Sequence, residues 1–257
     1  MGQVFLLNES HVFPDADLAS PEGLIAIGGD LSPDRVLKAY SQGIFPWYND
    51  GDPIMWWSPD PRMVLFPERF RLSKSLRKLI RSHTFRYSFD RAFGEVINSC
   101  AHSVRNGQES GTWITSDYKL AFKALHQSGL AHSVEVYQNE KLVGGLYGLS
   151  LGKVFFGESM FFQVPNASKA ALAFLIDFLL QNNFDFIDVQ QNTEHLRSLG
   201  AELMQRKVFL QSLNESLDCD SLIGVWGSGN EVLDRLDFNR AGIRNSLSEK
   251  MQSNRSM

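Results

Sequence analysis

A carboxylate and a carboxamide stand two residues apart in the segment FDFIDVQ, which ends at Gln190. Side chains alternate across a strand, so Asp188 and Gln190 should share a face with Phe184 and Phe186. They also stand at the carboxyl end of the predicted strand, where α/β sheets usually hold ligands. Two interpretations stay open: Asp188 orients a reacting group, or it pairs with a structural basic residue or caps the next helix.

A second carboxylate, Glu158, lies in the apolar segment VFFGESMFF. Alternation predicts that it shares a face with Phe156, Met160 and Phe162. A carboxylate among large apolar groups is costly unless it is paired or used. The alternative is an edge strand with Glu158 in water, but both faces are too apolar for an edge. Gly157 predicts a bulge or the close approach of a ligand to the backbone.

Local basic charge is concentrated between Arg69 and Arg86, a segment without any acidic residue. Helical spacing would place several of these basic side chains on one side of a helix. The single sign of charge favours phosphate binding, and the alternative is an ordinary solvated helix face. The residues predicted to contact nucleic acid are Arg69, Arg71, Lys74, Arg77, Lys78 and Arg81.

The stretch Gly43–Phe66 is rich in tryptophan, tyrosine and proline and lacks a helical or strand period. Aromatic rings held by prolines suit stacking of bases or apolar side chains, although a stiffened domain joint has the same composition.

His195 is either a base or, more commonly, a packing residue. The chain has no serine elbow, Walker loop, CxxC or HExxH motif, so it predicts neither a metal nor a cofactor.

Composition excludes several classes of protein. The 257 residues are 43% hydrophobic and 21% charged, with a net charge of −4, which fits one large or two small domains and gives no global sign of nucleic-acid binding. Two cysteines, far apart, suit a reducing compartment. No signal peptide is recognisable and no apolar run is long enough for a bilayer. The sequence therefore predicts a soluble cytoplasmic protein.

Periodicity and turn signals locate the elements that must position these residues. They predict helices at 32–42, 90–102, 116–128, 168–181 and 193–199, and strands at 131–137, 142–149, 154–162 and 184–190. This order indicates a mixed α/β sandwich of the α+β kind, and it resembles the GNAT acyltransferase superfamily. We expect a small N-terminal domain at 1–62, a GNAT-like domain at 63–240 and a polar tail at 241–257.

Ordered sequence blocks make a more specific resemblance possible. The blocks are Gly43–Trp47, Trp56–Arg62, Ser110–Ile114, Gly157–Phe161, Asn166–Lys169, Asp188–Gln190 and His195–Ala201. In these blocks, which span most of the chain, the sequence resembles the bacterial leucyl/phenylalanyl-tRNA–protein transferases. The resemblance implies a small N-terminal domain followed by a GNAT-like domain.

The resemblance also implies an activity. Such an enzyme transfers leucine or phenylalanine, and methionine less well, from aminoacyl-tRNA to proteins that begin with arginine or lysine, and so marks them for degradation by the N-end rule. By the same resemblance the aminoacyl side-chain pocket is lined by Trp47, Trp113, Leu146, Phe155 and Met160. Leu146 occupies a place where methionine is familiar.

The implied chemistry is attack of a peptide α-amine on an activated ester, for which much of the rate can come from positioning. Asp188 would orient the amine and, if burial raises its pKa, take its proton. Gln190 would hold Asp188 or donate to the developing oxyanion. Glu158 would bind the cationic acceptor terminus, or else the ribose. Asp188 should then matter far more to transfer than to folding.

Two other functions remain in competition. A coenzyme-A-dependent N-acetyltransferase would need a pyrophosphate loop of the form Q/R-x-x-G-x-G/A. Arg91, Gln108 and Arg197 each have a glycine three residues on, but the final glycine or alanine is absent. A non-enzymatic RNA-binding module would explain the basic segment and the tryptophans. It would not explain the polar side chains in apolar strands.

Overall fold

A computed structural model of the protein describes residues 3–103 and 112–227. Ser110 and Gly111 of one sequence block, residues 228–240 of the expected second domain and the expected tail at 241–257 lie outside these residues. Within the described part of the chain, no helix is long and apolar enough to cross a membrane.

A small four-stranded sheet opens the chain. Its strands are β1 (Phe5–Leu7), β2 (Leu24–Gly28), β3 (Phe45–Pro46) and β4 (Met55–Trp57), in the order β1-β2-β4-β3. Helix α1 (Pro33–Ser41) lies between β2 and β3 and begins directly after Ser32, as the sequence predicts. None of the four strands was predicted, because strands of two to five residues are too short to show alternation.

A seven-stranded sheet forms the centre of the molecule and runs in the order β11-β5-β10-β9-β8-β7-β6. Its strands are β5 (Arg62–Leu65), β6 (Arg86–Phe89), β7 (Ala131–Gln138), β8 (Lys141–Leu151), β9 (Val154–Phe162), β10 (Phe186–Gln190) and β11 (Glu202–Met204). All neighbouring pairs are antiparallel except β9 and β10, which are parallel. The mixed α/β class predicted from the order of elements is confirmed.

The other α-helices of the described residues are α2 (Lys74–Arg81), α3 (Phe93–His102), α4 (Ser116–Gln127), α5 (Ala167–Gln181), α6 (Glu194–Ser198) and α7 (Arg206–Leu217). Helix α3 starts at Phe93 and not at Asp90, because Asp90 has a left-handed φ of 56° and its carboxylate accepts from the backbone of Ser133. Helix α7 was not predicted, since few of its residues are apolar and buried.

Apolar cores cover both faces of the large sheet. Helices α3 and α4 pack on one face, and that core continues without a break into the small sheet, α1 and α7. Helix α5 covers the other face, and most of its side chains are buried. The small sheet ends at Trp57 and the large one begins at Arg62, but because one core joins them, the division at residue 62 stays a prediction.

Strands β9 and β10 separate in the middle of the large sheet. Their pairing ends at Phe156 and Asp188, after which β10 follows β5 through an irregularity at Gln190. On the other side of β9, Ser159 pairs with Tyr147 and Gly157 with the next residue of β8, so Glu158 is an extra residue in a bulge. The bulge predicted at Gly157 is confirmed. Beyond Phe156 the two parallel strands no longer pair, and we call this gap in the pairing the opening.

The bulge reverses the side-chain alternation beyond Glu158. Phe156 and Phe161 belong to the core shared with the small sheet, whereas Phe155 and Met160 belong to the core under α5. The prediction that Met160 shares a face with Phe156 and Glu158 is therefore wrong. An inserted residue changes which face every later side chain points to, and a strict period of two cannot show this.

Candidate active site

Glu158 is held by two tyrosines that come from different parts of the chain. Its Oε1 accepts a hydrogen bond of 2.8 Å from the hydroxyl of Tyr40 on α1, and its Oε2 accepts one from the hydroxyl of Tyr118 on α4. Both tyrosines are fully buried, while Glu158 keeps partial exposure at the opening beside β10. The alternative of a solvated edge strand is excluded, because β9 lies between two other strands.

The surroundings of Glu158 change its acidity. Burial raises the pKa of Glu158 to about 7, and the negative charge of Asp188 acts in the same direction, whereas the tyrosine hydrogen bonds and Arg62 oppose it. Burial and the charge of Glu158 raise the pKa of Tyr40 and Tyr118 well above their ordinary value, so both remain neutral donors. A carboxyl with a pKa near 7 can take up and return a proton at neutral pH.

Asp188 forms a bidentate ion pair with Arg62 from β5. The carboxylate accepts from Nε of Arg62 at 2.8 Å and from its Nη2 at 2.7 Å, and the side chains are 0% and 1% exposed. The guanidinium also donates to the carbonyl of Gly43 and lies against the rings of Phe45 and Phe209. Of the two interpretations left open for Asp188, the geometry matches the pairing with a basic residue.

Gln190 connects the two carboxylates. Its backbone N–H donates to Oδ1 of Asp188 at 3.0 Å. In one orientation its side-chain nitrogen lies 3.4 Å from Oε1 of Glu158; in the other, that nitrogen donates to the carbonyls of Gly157 at 2.9 Å and Val189 at 3.2 Å. The second orientation makes more hydrogen bonds and turns the amide oxygen toward Glu158, where it can accept from the protonated carboxyl.

The structure thus brings together the three side chains that the sequence singles out, Asp188, Gln190 and Glu158. It adds Arg62, Tyr40 and Tyr118, which sequence reasoning missed. In the sequence both tyrosines simply fall within predicted helices, 32–42 and 116–128, and Arg62 is the last residue of a block. Their partners lie up to 126 residues away, and no local pattern reports such pairings. His195, the other candidate base, is exposed on α6.

The predicted aminoacyl-pocket residues fall into two groups. Leu146 and Met160 are direct neighbours on β8 and β9, and Phe155 belongs to the same core under α5. Trp113 lies in the opposite core, where its ring contacts Tyr118 at 5.1 Å. Trp47 is 37% exposed. The pocket assignment stays a prediction, with three of its five members in one cluster.

The predicted tRNA-binding residues also differ among themselves. Helix α2 buries Leu76 and Ile80, which leaves an exposed basic face. Arg77 is half-buried and already interacts with other groups of the protein. Arg69 forms an ion pair of 2.5 Å with Glu202 of β11. The basic segment contains no acidic residue, but a distant strand supplies one. The exposed members of the predicted set are Arg69, Arg71, Lys74, Lys78 and Arg81, of which Arg69 is paired with Glu202.

Comparison with known proteins identifies the family. Residues 64–214 match the family described as Leucyl/phenylalanyl-tRNA protein transferase, and residues 29–60 match the N-terminal domain of the same family. A protein of that name from Desulfatibacillum aliphaticivorans is 52% identical over 228 residues, which cover 89% of this chain and 97% of that protein. One from Methylococcus capsulatus is 53% identical over 202 residues, or 79% and 85% of the two chains.

Among solved structures, a GCN5-related N-acetyltransferase-like protein from Streptococcus suis aligns with a TM-score of 0.33 and 14% identity, over 67% of this chain and 64% of that one. A likeness at this level adds nothing on function. The family match extends over more than half of the sequence and the curated relatives over most of it. The chain therefore belongs to the leucyl/phenylalanyl-tRNA protein transferase family and is an aminoacyltransferase.

Proposed function

We propose that this protein transfers leucine or phenylalanine, and methionine less readily, from aminoacyl-tRNA to the N-terminal arginine or lysine of acceptor proteins. Membership of the family supports the class of reaction. The observation that carries the proposal is the Glu158 carboxyl, which has a pKa of about 7 and lies where β9 and β10 separate. The cytoplasm, where aminoacyl-tRNA occurs, is the compartment that we propose for this activity.

The donor amino acid would enter the apolar core under α5 from the opening. Residues 157–160 of β9 are all partly exposed, although the strand lies inside the sheet, because β10 has turned away. Met160 belongs to this stretch and packs against the cluster that contains Leu146 and Phe155. We propose that an apolar donor side chain reaches that cluster beside Glu158 along this stretch. Large apolar groups select by shape, which suits leucine and phenylalanine.

The acceptor α-amine would meet Glu158. Its nitrogen attacks the ester carbonyl carbon, the bond from that carbon to the ribose oxygen breaks, and the products are an amide and tRNA with a free hydroxyl. The proton that the amine loses passes to Glu158 and from there to the ribose oxygen. A free α-amine has a pKa near 8, so a base with a pKa of about 7 is well matched to it.

Asp188 would act indirectly. It has no exposed surface and both its oxygens accept from Arg62, so direct contact with an amine would require the ion pair to open. Through the backbone N–H of Gln190 it fixes the end of β10, and Gln190 in turn lies against Glu158. We therefore assign Asp188 and Arg62 to positioning, and Gln190 to contact with Glu158 and the reacting groups.

The transfer assay tests this function directly. Purified protein is incubated with tRNA charged with radiolabelled leucine and with a model protein that begins with arginine. Label should enter the protein when its first residue is arginine or lysine, and should not enter a version whose α-amine is acetylated. One tRNA body charged in turn with leucine, phenylalanine, methionine, valine and isoleucine should donate the first three only. Selectivity that followed the tRNA sequence instead would contradict the proposed pocket.

A further inference from the structure

A strap at the carboxyl end of the described chain crosses one end of the large sheet, where it contacts the turn between β8 and β9 and the residues just before β7. This C-terminal strap comprises residues 218–227 and follows α7. Ser221 accepts from the backbone N–H of Gly152 at 2.8 Å, and the N–H of Gly224 donates to the carbonyl of Gly129 at 3.0 Å. A Cβ on Gly129 would lie 2.4 Å from the nitrogen of Gly224, so the two backbones meet without room for a side chain. The strap is thus fixed before it reaches Trp226.

Trp226 is the buried anchor of the C-terminal strap. It is 2% exposed, and its backbone N–H donates to Oδ2 of Asp90 at 2.8 Å. The same oxygen lies 2.9 Å from Nδ1 of His132, whose ring stacks on the indole with centroids 3.8 Å apart. One carboxylate therefore holds both the backbone of the tryptophan and the ring on which it lies. This arrangement defines the position of the indole from two directions.

The indole also contacts the wall of the proposed aminoacyl pocket. Its ring lies 5.7 Å from the ring of Phe155, and the rings of Phe178 and Phe184 surround it at 4.6 and 5.8 Å. Phe155 belongs to the same core as Leu146. Close-packed interiors transmit a displacement of one ring to the next, so the position of Trp226 affects the position of Phe155.

We propose that Trp226 is a positioning residue for the aminoacyl pocket: it supports Phe155 from the side remote from the donor, and so limits how deep the pocket is. This inference rests on the proposed function, because it takes Phe155 as a wall of that pocket. A smaller side chain at position 226 would let the Phe155 ring retreat. The deeper pocket would then favour phenylalanine over leucine.

The test compares Trp226→Phe and Trp226→Leu with the wild type, using one tRNA body charged with leucine or phenylalanine. The matched control is Phe85→Leu, since Phe85 is buried in the same core and no ring contact among the described residues joins it to Trp226, Phe155 or Phe89. One methylene changes selectivity in an apolar pocket by about 10- to 200-fold, and an indirect retreat of the wall should raise the ratio of kcat/KM for phenylalanine over leucine by roughly three- to tenfold. This ratio should rise more in Trp226→Leu than in Trp226→Phe, because leucine leaves more space behind Phe155.

Thermal unfolding of each variant separates pocket geometry from loss of packing. The control should lose stability without any change in the ratio. If Trp226→Leu does not fold, the milder Trp226→Phe supplies the test in the same direction. If the folded Trp226 variants transfer at the wild-type rate and keep the wild-type ratio of kcat/KM for phenylalanine over leucine, the proposed role of Trp226 is overturned. A wild-type protein that transfers neither amino acid would overturn the proposed function itself.

Discussion

Asp188→Asn should reduce the folding stability of this protein as well as its activity. The carboxylate accepts two hydrogen bonds from Arg62, at 2.8 and 2.7 Å, and neither side chain has more than 1% exposure. Asparagine keeps the shape and can still accept from the backbone of Gln190, but it leaves the guanidinium charge buried without compensation. The sequence alone predicts that loss of the Asp188 carboxylate affects transfer far more than folding, whereas the buried ion pair predicts a large loss of stability as well.

The magnitude follows from the burial of the pair. Removing one partner of a buried ion pair costs about 3–5 kcal/mol, because the other charge remains desolvated and unpaired. For a chain of this size each 1 kcal/mol lowers Tm by about 2–4 °C, so a fall of roughly 6–20 °C is expected. The control is Asp185→Asn on the exposed residue just before the same strand, which accepts from Ser216 and should change the free energy of unfolding by less than about 0.5 kcal/mol.

Calorimetry and urea unfolding measure the stability, and a double variant separates it from function. Arg62→Met combined with Asp188→Leu removes both charges, and apolar replacement of a buried pair is often neutral for stability. The double variant should therefore recover much of the lost Tm while transfer stays low, since the end of β10 loses its support. If Asp188→Asn unfolds at the wild-type temperature, the ion pair is not the structural element described above.

Two further predictions concern the tRNA and the acidity of Glu158. Replacing Lys74, Lys78 and Arg81 on the exposed basic face of α2 by glutamine should weaken tRNA binding. The slope of log K against log salt concentration should become flatter by about 0.7–0.9 per lost phosphate contact. An unchanged slope would mean that this face is only solvated. Tyr118→Phe removes a donor that lowers the pKa of Glu158, so the pH at which transfer is half-maximal should rise. The control Tyr87→Phe, whose buried hydroxyl has no hydrogen-bond partner among the described residues, should not move it.

Four strands of the central sheet, β7 to β10, could be predicted from the sequence, as could helices such as α4 and α5, because most of these elements are long enough to show their period. Strands β5, β6 and β11 of the same sheet, with three or four residues each, could not. The four short strands before Arg62 could not. Nor could α7, which presents mainly polar residues around Phe209 and Leu213. Where one extra residue enters β9, a correct strand still gave the wrong face for Met160.

The candidate site shows the same limit. The chemistry of Asp188, Gln190 and Glu158 could be read from their types and spacing, since polar groups in apolar strands are unusual. Their partners could not, because Arg62 and Tyr40 lie more than 100 residues away in the chain. Those partners change the roles: Asp188, the first candidate for a base, is paired with an arginine, and Glu158 is the carboxyl whose pKa burial raises to about 7.

The central claim is that Glu158 handles the proton of the acceptor amine, and the pH dependence of transfer tests it most directly. The value of kcat/KM for transfer from leucyl-tRNA to an arginine-starting acceptor is measured from pH 5.5 to 9 for the wild type and for Glu158→Gln. Wild-type transfer should rise as pH passes about 7, where the carboxyl ionises, and level off above the amine pKa near 8. Glu158→Gln should be slower by about 10²-fold or more and keep only the dependence on the amine. An inflection near pH 7 that persists in a folded Glu158→Gln protein would contradict the account.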